Sequence, residues 1–217
     1  MTKKTKLVAF DMDGTLIQGR LIEVLSRKYQ ISDKVKSIQN EKSLLGFQKT
    51  EIIAKLLTGI RVEDVVQSID SIPIMHNAKK MVGWFKNNGY YTGIITDSYT
   101  IAAEVVARKL GLDFCAANEL EVRDGIITGE ISMPLGWEKN NCPCQISICK
   151  RYHLSLYADK FDVEIKNTIA IGDTRGDICM INHAGLGIAF MPKDNEIIRH
   201  SKNIIRNPDL NEIMNYM

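Results

Sequence analysis

Lys6-Leu7-Val8-Ala9-Phe10-Asp11-Met12-Asp13-Gly14-Thr15 is the stretch from which the fold is read. Leu7 to Phe10 form an apolar run bounded by lysines before it and by Asp and Gly after it. That is the pattern of a strand buried on both faces of a parallel sheet. Asp11 and Asp13 then stand at the carboxyl end of the strand, where ligands bind in open α/β sheets. Neighbouring carboxylates on one loop repel unless a cation or a proton lies between them. The pair therefore implies a metal site or a proton-sharing site; the plainer reading is a solvated Asp-x-Asp-Gly turn.

Working outward, 217 residues suffice for one good core plus a small accessory domain. A formal charge of +2 and a pI near 8.2 argue against a nucleic-acid partner, and Lys3, Lys4 and Lys6 make no sustained basic block. No uncharged apolar run approaches the roughly 20 residues of a membrane span, and the run after the lysines is too short for a signal peptide. The expectation is a cytoplasmic protein with no membrane partner. Five cysteines, an odd number gathered mostly late in the chain, do not resemble the framework of a small secreted domain.

Between Leu16 and Ile74 the texture changes. Leu21, Ile22, Val24, Leu25 and Tyr29, then Ile52, Ile53, Leu56 and Leu57, then Val62, Val65, Val66 and Ile69 recur at helical spacing among charges. Asp33 and Glu63-Asp64 suit helix starts, Gly46 and Gly59 suit stops, and Pro73 closes the region. A single crossover between parallel strands needs only one helix. The excess predicts a helical cap, residues 16–75, inserted into an α/β core made of residues 1–15 and 76–217; the plainer reading is that these helices flank the sheet as in any α/β domain.

An alternating pattern follows. Ala78 to Asn88 reads as a helix, Tyr90 to Ile95 as a strand ending in Thr96-Asp97-Ser98, and Thr100 to Leu110 as a helix stopped by Gly111. A hydroxyl and backbone N–H groups at such a junction suit a phosphate oxygen, or a plain helix cap. Asp124-Gly125 between two β-rich runs predicts a hairpin over Glu119 to Ile131. Met133 to Cys149 reads as an irregular loop. Its Cys142, Cys144 and Cys149 are read as free thiols rather than a metal site, because no second Cys-x-x-Cys is present and Cys115 and Cys179 are distant in sequence. Lys150 opens a helix, Thr168 to Gly172 is an apolar strand ending in Asp173 with Asp177 beyond, and Leu186 to Phe190 is a further buried strand. From Asn195 the tail reads as a flanking helix and an edge strand. His76, His153, His183 and His200 show no spacing that suggests ligation.

Phe10-Asp11-Met12-Asp13-Gly14-Thr15-Leu16, Thr96, Lys150 and Gly172-Asp173…Asp177 together resemble the four motifs of the haloacid dehalogenase superfamily of phosphohydrolases. Leu110-Gly111-Leu112-Asp113 and the run from Asp124 to Gly129 are similar to its phosphoserine phosphatase branch. The resemblance implies a Rossmann-like parallel sheet with an inserted helical cap, and a phosphatase acting on a small phosphorylated metabolite with Mg²⁺. It implies Asp11 as nucleophile, Asp13 as general acid and base, and Thr96 with Asp97 at the phosphate. It further implies Lys150 as the neutralising cation, with Lys139 in the loop before it as the competing candidate, Mg²⁺ held by Asp11, Asp173 and the backbone carbonyl of Asp13, and Asp177 behind them orienting Lys150. The chemistry suits these residues: an Asp can carry a phosphoryl group covalently, and two anions meet only with cations beside them.

Substrate recognition departs from the branch. Its members place an acidic residue shortly after the first motif and an arginine in the cap, for an amino group and a carboxylate. Here Arg20 stands in the first place and no arginine lies around Ile52 to Ala54. These changes argue against phosphoserine and make Arg20, Lys49 and Lys55 candidates for binding a more acidic phosphorylated metabolite. A phosphotransferase or phosphomutase using the same aspartate, and a non-catalytic binding module on the same fold, remain open at this level.

Overall fold

In the computed structural model, which describes residues 4–217, Lys6–Phe10 forms β1 at the centre of a sheet. Lys3 falls outside the described residues. Residues 7–10 of β1 are all fully buried, and the two-residue period of a strand divides them between the faces. Val8 and Phe10 pack on one side with Phe85 and Ala102; Leu7 and Ala9 pack on the other with Leu154 and Met180. Each large side chain so buried contributes roughly 1.5–3 kcal/mol. The apolar run is continuous because both faces are covered.

β1 pairs in parallel with β2 (Tyr90–Tyr99) on one side and β5 (Thr168–Gly172) on the other. Beyond β2 lie β3 (Phe114–Arg123) and β4 (Ile126–Ser132), and beyond β5 lie β6 (Leu186–Phe190) and β7 (Asn203–Ile205). The order is β4-β3-β2-β1-β5-β6-β7, antiparallel only at β3 with β4. Phe10 is in register with Ile94 and with Ile171. The chain therefore leaves three adjacent strands at one level, delivering Asp11, Thr96 and Asp173 to the same edge.

Helices α1 (Leu21–Lys28), α2 (Ser32–Asn40), α3 (Gly46–Leu56) and α4 (Val62–Ser71) occupy the segment between β1 and Pro73. Helices α5 (Ala78–Asn87), α6 (Thr100–Leu110), α7 (Lys150–Lys160), α8 (Ile178–Ile181) and α9 (Asn195–His200) accompany the strands. The α3–α4 connection is tied to the sheet's hairpin: the Gly59 amide donates to the Ile127 carbonyl and the Ile127 amide to the Ile60 carbonyl, both at 2.9 Å. Among the described residues no helix is long and apolar enough to cross a membrane.

Four local expectations change. Gly46 opens α3 rather than ending a helix; a Cβ there would run into the Ile146 side chain and the Gln145 carbonyl, so close approach by the loop accounts for the glycine. β2 continues through Thr96-Asp97-Ser98 to Tyr99, the polar residues sitting where the register with β3 shifts between Ile95 and Tyr99. β3 starts at Phe114, because its first half adds in parallel to β2 before its second half turns into the hairpin. Asp124 and Gly125 both have positive φ (50° and 76°), as a two-residue hairpin turn demands. Finally, Cys179 is near the other cysteines in space although not in sequence.

Candidate active site

The site forms where β1, β2 and β5 end. Asp11 follows β1 directly and is tied to β5 by its amide, which donates to the Ile171 carbonyl at 2.8 Å. Lys150 is the first residue of α7 and is 2% exposed. Its Nζ lies 2.6 Å from Asp11 Oδ1 and 2.5 Å from Asp177 Oδ1. Burial alone pulls the lysine down, but the Asp11 and Asp177 carboxylates overcome it and hold the ammonium well above its ordinary value. Lys139, the other lysine near this loop, instead lies over the Tyr152 ring.

Asp177 and Asp173 differ sharply. Asp177 Oδ2 accepts from the amides of Asp173 and Thr174 at 3.1 and 2.9 Å and from the Thr174 hydroxyl at 3.1 Å, while Oδ1 takes Lys150. Gly172 permits this: a Cβ there would strike the Asp177 carboxyl. Asp173 is fully buried, yet neither of its carboxylate oxygens has a hydrogen-bond partner. Burial and the neighbouring Asp177 push its carboxyl up to about 7, against the pull of Arg20 and Lys150. Burial, Asp177 and Asp173 likewise push Asp11 up, with Lys150 opposing them.

Carboxylate oxygens of Asp11, Asp173 and Asp177 lie within 4.8 Å of one another. Since Asp177 has all its partners, the unmet demand is at Asp173 and beside it at Asp11. A hard divalent cation bound by oxygen is the group these residues fit. Gly14 (φ 84°) lets the chain turn tightly there, and a Cβ at that position would occupy the space of the Asp173 carboxylate.

Asp13 projects toward α1, its Oδ1 accepting the Leu21 amide at 2.8 Å. Burial pushes its carboxyl up to about 6, with the Leu21 amide, Arg20 and the Ser98 hydroxyl pulling the other way. Thr96 is buried and its hydroxyl accepts the Ser98 amide at 3.2 Å. Asp97 lines the cleft above it, its backbone carbonyl accepting from Asn118 Nδ2 at 2.7 Å.

A cleft of about 1650 Å³ opens from this cluster, between α1 to α3 on one side and the loops after β2, β5 and β6 on the other. Arg20 and Lys49 line it. Arg20 Nη2 is 3.6 Å from Asp173 Oδ2; Lys49 Nζ donates to the Gln39 carbonyl at 2.8 Å. Lys55 does not line the cleft: it pairs with Glu51, one turn away, on the exposed side of α3. Three features were missed from the sequence. Glu23 stands on the cleft wall one helical turn beyond Arg20, and Lys193 lies on the opposite wall. Buried Asn118 bridges the Asp97 carbonyl and the Ser147 hydroxyl, linking the β2 turn to the loop before Lys150. The spacing of Glu23 was readable; the other two depend on contacts made only in the fold.

Residues 8–182 match the family described as haloacid dehalogenase-like hydrolase. The chain is 32% identical over 221 residues to the phosphoserine phosphatase of Methanocaldococcus jannaschii, covering 100% of both. A solved phosphoserine phosphatase with an analogue of the phospho-aspartyl intermediate superimposes with a TM-score of 0.85 at 31% identity, covering 99% of this chain and 100% of that one. A substrate-bound phosphoserine phosphatase gives 0.84 at 31% identity, with 100% of both covered.

Proposed function

From the premise that the chain belongs to the haloacid dehalogenase-like hydrolase family and is a phosphatase, we propose that it hydrolyses a small phosphomonoester through a phosphoaspartyl intermediate on Asp11. The observation that carries this reading is the contact of Lys150 with both Asp11 and Asp177 beside an Asp173 whose buried oxygens accept no hydrogen bond. An anionic nucleophile, a fixed cation and a vacant oxygen ligand together suit phosphoryl transfer.

Asp11 attacks phosphorus in line, forming the P–O bond as the bond to the leaving oxygen breaks. Asp13, with its carboxyl near 6, donates a proton to that oxygen and then takes one from the water that releases phosphate. Lys150 offsets the charge of Asp11 and of the incoming phosphate. Asp177 keeps the lysine extended across the site, and the Thr96 hydroxyl with the backbone around Asp97 orients the phosphate oxygens. Asp11, Asp173 and the Asp13 carbonyl would hold Mg²⁺, which would supply the further charge neutralisation that the meeting of two anions requires.

Residues 16–75 act as a cap in this reading, with the core in 1–15 and 76–217. Support comes from the cleft, whose walls include Arg20, Lys49 and Ile53 from that segment and Asp97, Thr174 and Lys193 from the rest. Arg20 and Lys49 favour a substrate bearing an acidic group besides its phosphate, whereas Glu23 is the one acid on that wall positioned for an ammonium. A phosphate-release panel with Mg²⁺ tests this, comparing phosphoserine, sugar phosphates and phosphorylated organic acids, with Asp11→Asn as control and Arg20→Glu as specificity probe. The expected result is a preference for the phosphorylated acids that Arg20→Glu weakens. Fastest turnover of phosphoserine, unaffected by Arg20→Glu, would refute the substrate reading; near-normal activity in Asp11→Asn would refute the catalytic one.

A further inference from the structure

Outside the carboxylate site, Cys142, Cys144, Cys149 and Cys179 place their sulfur atoms within 4.8 Å of one another. They come from two separate segments: Cys142, Cys144 and Cys149 from the loop that leads into α7, and Cys179 from α8. We propose that these residues form a tetrathiolate site for a single zinc ion, independent of the phosphatase reaction.

Sulfurs about 2.3 Å from a central tetrahedral ion are about 3.8 Å apart, which the observed convergence accommodates and which an iron–sulfur cluster, with its wider ring of ligands, does not. A disulfide needs only two sulfurs and leaves the presence of the other two unaccounted for. All four are free cysteines, and Cys142 and Cys149 are buried. Soft thiolates in an S₄ set select zinc over the hard cations suited to the carboxylate site. Supporting groups are present around the sulfurs: the Tyr152 and Ile146 amides face those of Cys149 and Cys144, and the Asn140 side chain is 3.9 Å from Cys149 Sγ. Binding forms four S–Zn bonds and releases four thiol protons to water, with no change in oxidation state.

The site has structural reach. Cys149 adjoins Lys150, so its ligation fixes the first turn of α7. The same loop carries Trp137, stacked on Phe47 of α3 at 6.0 Å, and the Gln145 carbonyl, which accepts the Phe47 amide at 3.1 Å. Zinc would therefore brace the platform on which α3 rests.

The test is metal analysis of the whole chain prepared under reducing conditions without chelators or a histidine tag. We expect about one zinc per chain, released when a mercurial blocks the thiols. Cys179→Ser should lose most of it, and Cys115→Ser, outside the cluster, should keep it. Because Cys179→Ser is liable to misfold, cobalt is also added to chelator-stripped wild-type chain. Thiolate-to-cobalt charge transfer with intense tetrahedral visible bands is expected; an oxygen-ligated cobalt ion in the carboxylate site would give only weak ones. Zinc below about a tenth of an equivalent with freely reactive thiols, or stripped chain that yields no thiolate–cobalt spectrum, would overturn the assignment.

Discussion

Replacing Lys150 by methionine keeps the bulk of the side chain and removes the only cation, among the described residues, in contact with Asp11 and Asp177. Both carboxylates are almost wholly buried, so their mutual repulsion and desolvation are left uncompensated. Breaking a buried ion pair in this way costs about 3–5 kcal/mol. For a domain of this size each kcal/mol moves the midpoint by about 2–4 °C, so thermal unfolding should fall by roughly 6–20 °C. The loss should depend on pH with a definite sign. Burial already raises Asp11 in the folded state, with Lys150 the main opposing influence, and its removal raises Asp11 further. A carboxyl whose folded value lies above its unfolded one destabilises the fold as pH rises from the unfolded value to the folded one. The variant should therefore recover relative to wild type on acidification and fall further behind toward neutral pH. Calorimetry or circular dichroism in the presence of a chelator, from pH 4 upward, measures this, with phosphate release in Mg²⁺ measured alongside. A variant that melts within about 2 °C of wild type at pH 7.5, or that loses less than about tenfold in turnover, would refute the reasoning.

Asp173→Asn removes a buried charge that accepts no hydrogen bond and has Arg20 no closer than 3.6 Å, so without metal it should melt at or above the wild-type temperature at pH 8. Mg²⁺ at about a hundred times its dissociation constant should stabilise wild type by about 2.7 kcal/mol and leave the variant nearly unmoved; an equal Mg²⁺ shift in both would exclude Asp173 as a ligand. Asp13 must be protonated to assist the leaving group, so kcat/KM for an ester with a poor leaving group should fall as pH rises through about 6. Removing the Ser98 hydroxyl, which favours the charged form, should move that limb upward by less than about one unit; a downward shift in Ser98→Ala would contradict the assignment.

How far the sequence reached depended on the range of the interactions involved. β1 and β5 were legible because each is a short apolar run broken by acids, and being buried on both faces writes that pattern directly. The Asp124-Gly125 turn and the Lys150 helix start were legible because turn and helix chemistry is local. The continuation of β2 past Ile95 was not, since polar residues end an apolar pattern although a bulge carries the strand on. Gly46 was misread because a close approach by the Gln145–Ile146 backbone looks, from sequence, the same as a helix stop. Lys55 was placed with Lys49 by charge alone, while the turn of α3 separates them. Cys179 and Asn118 reach their partners only after the loop before α7 packs against α8 and β3, and nothing local marks them.

The central claim, a covalent intermediate on Asp11, is tested most directly with Asp13→Asn and p-nitrophenyl phosphate, whose leaving group needs no proton. The nucleophile remains intact while the group that activates water is lost, so p-nitrophenol should appear in a burst of about one equivalent followed by a slow phase. Acid quenching with radiolabelled substrate should leave the label on the peptide containing Asp11. Absence of the burst while wild type remains active under the same conditions, or label recovered on a peptide lacking Asp11, would contradict the account.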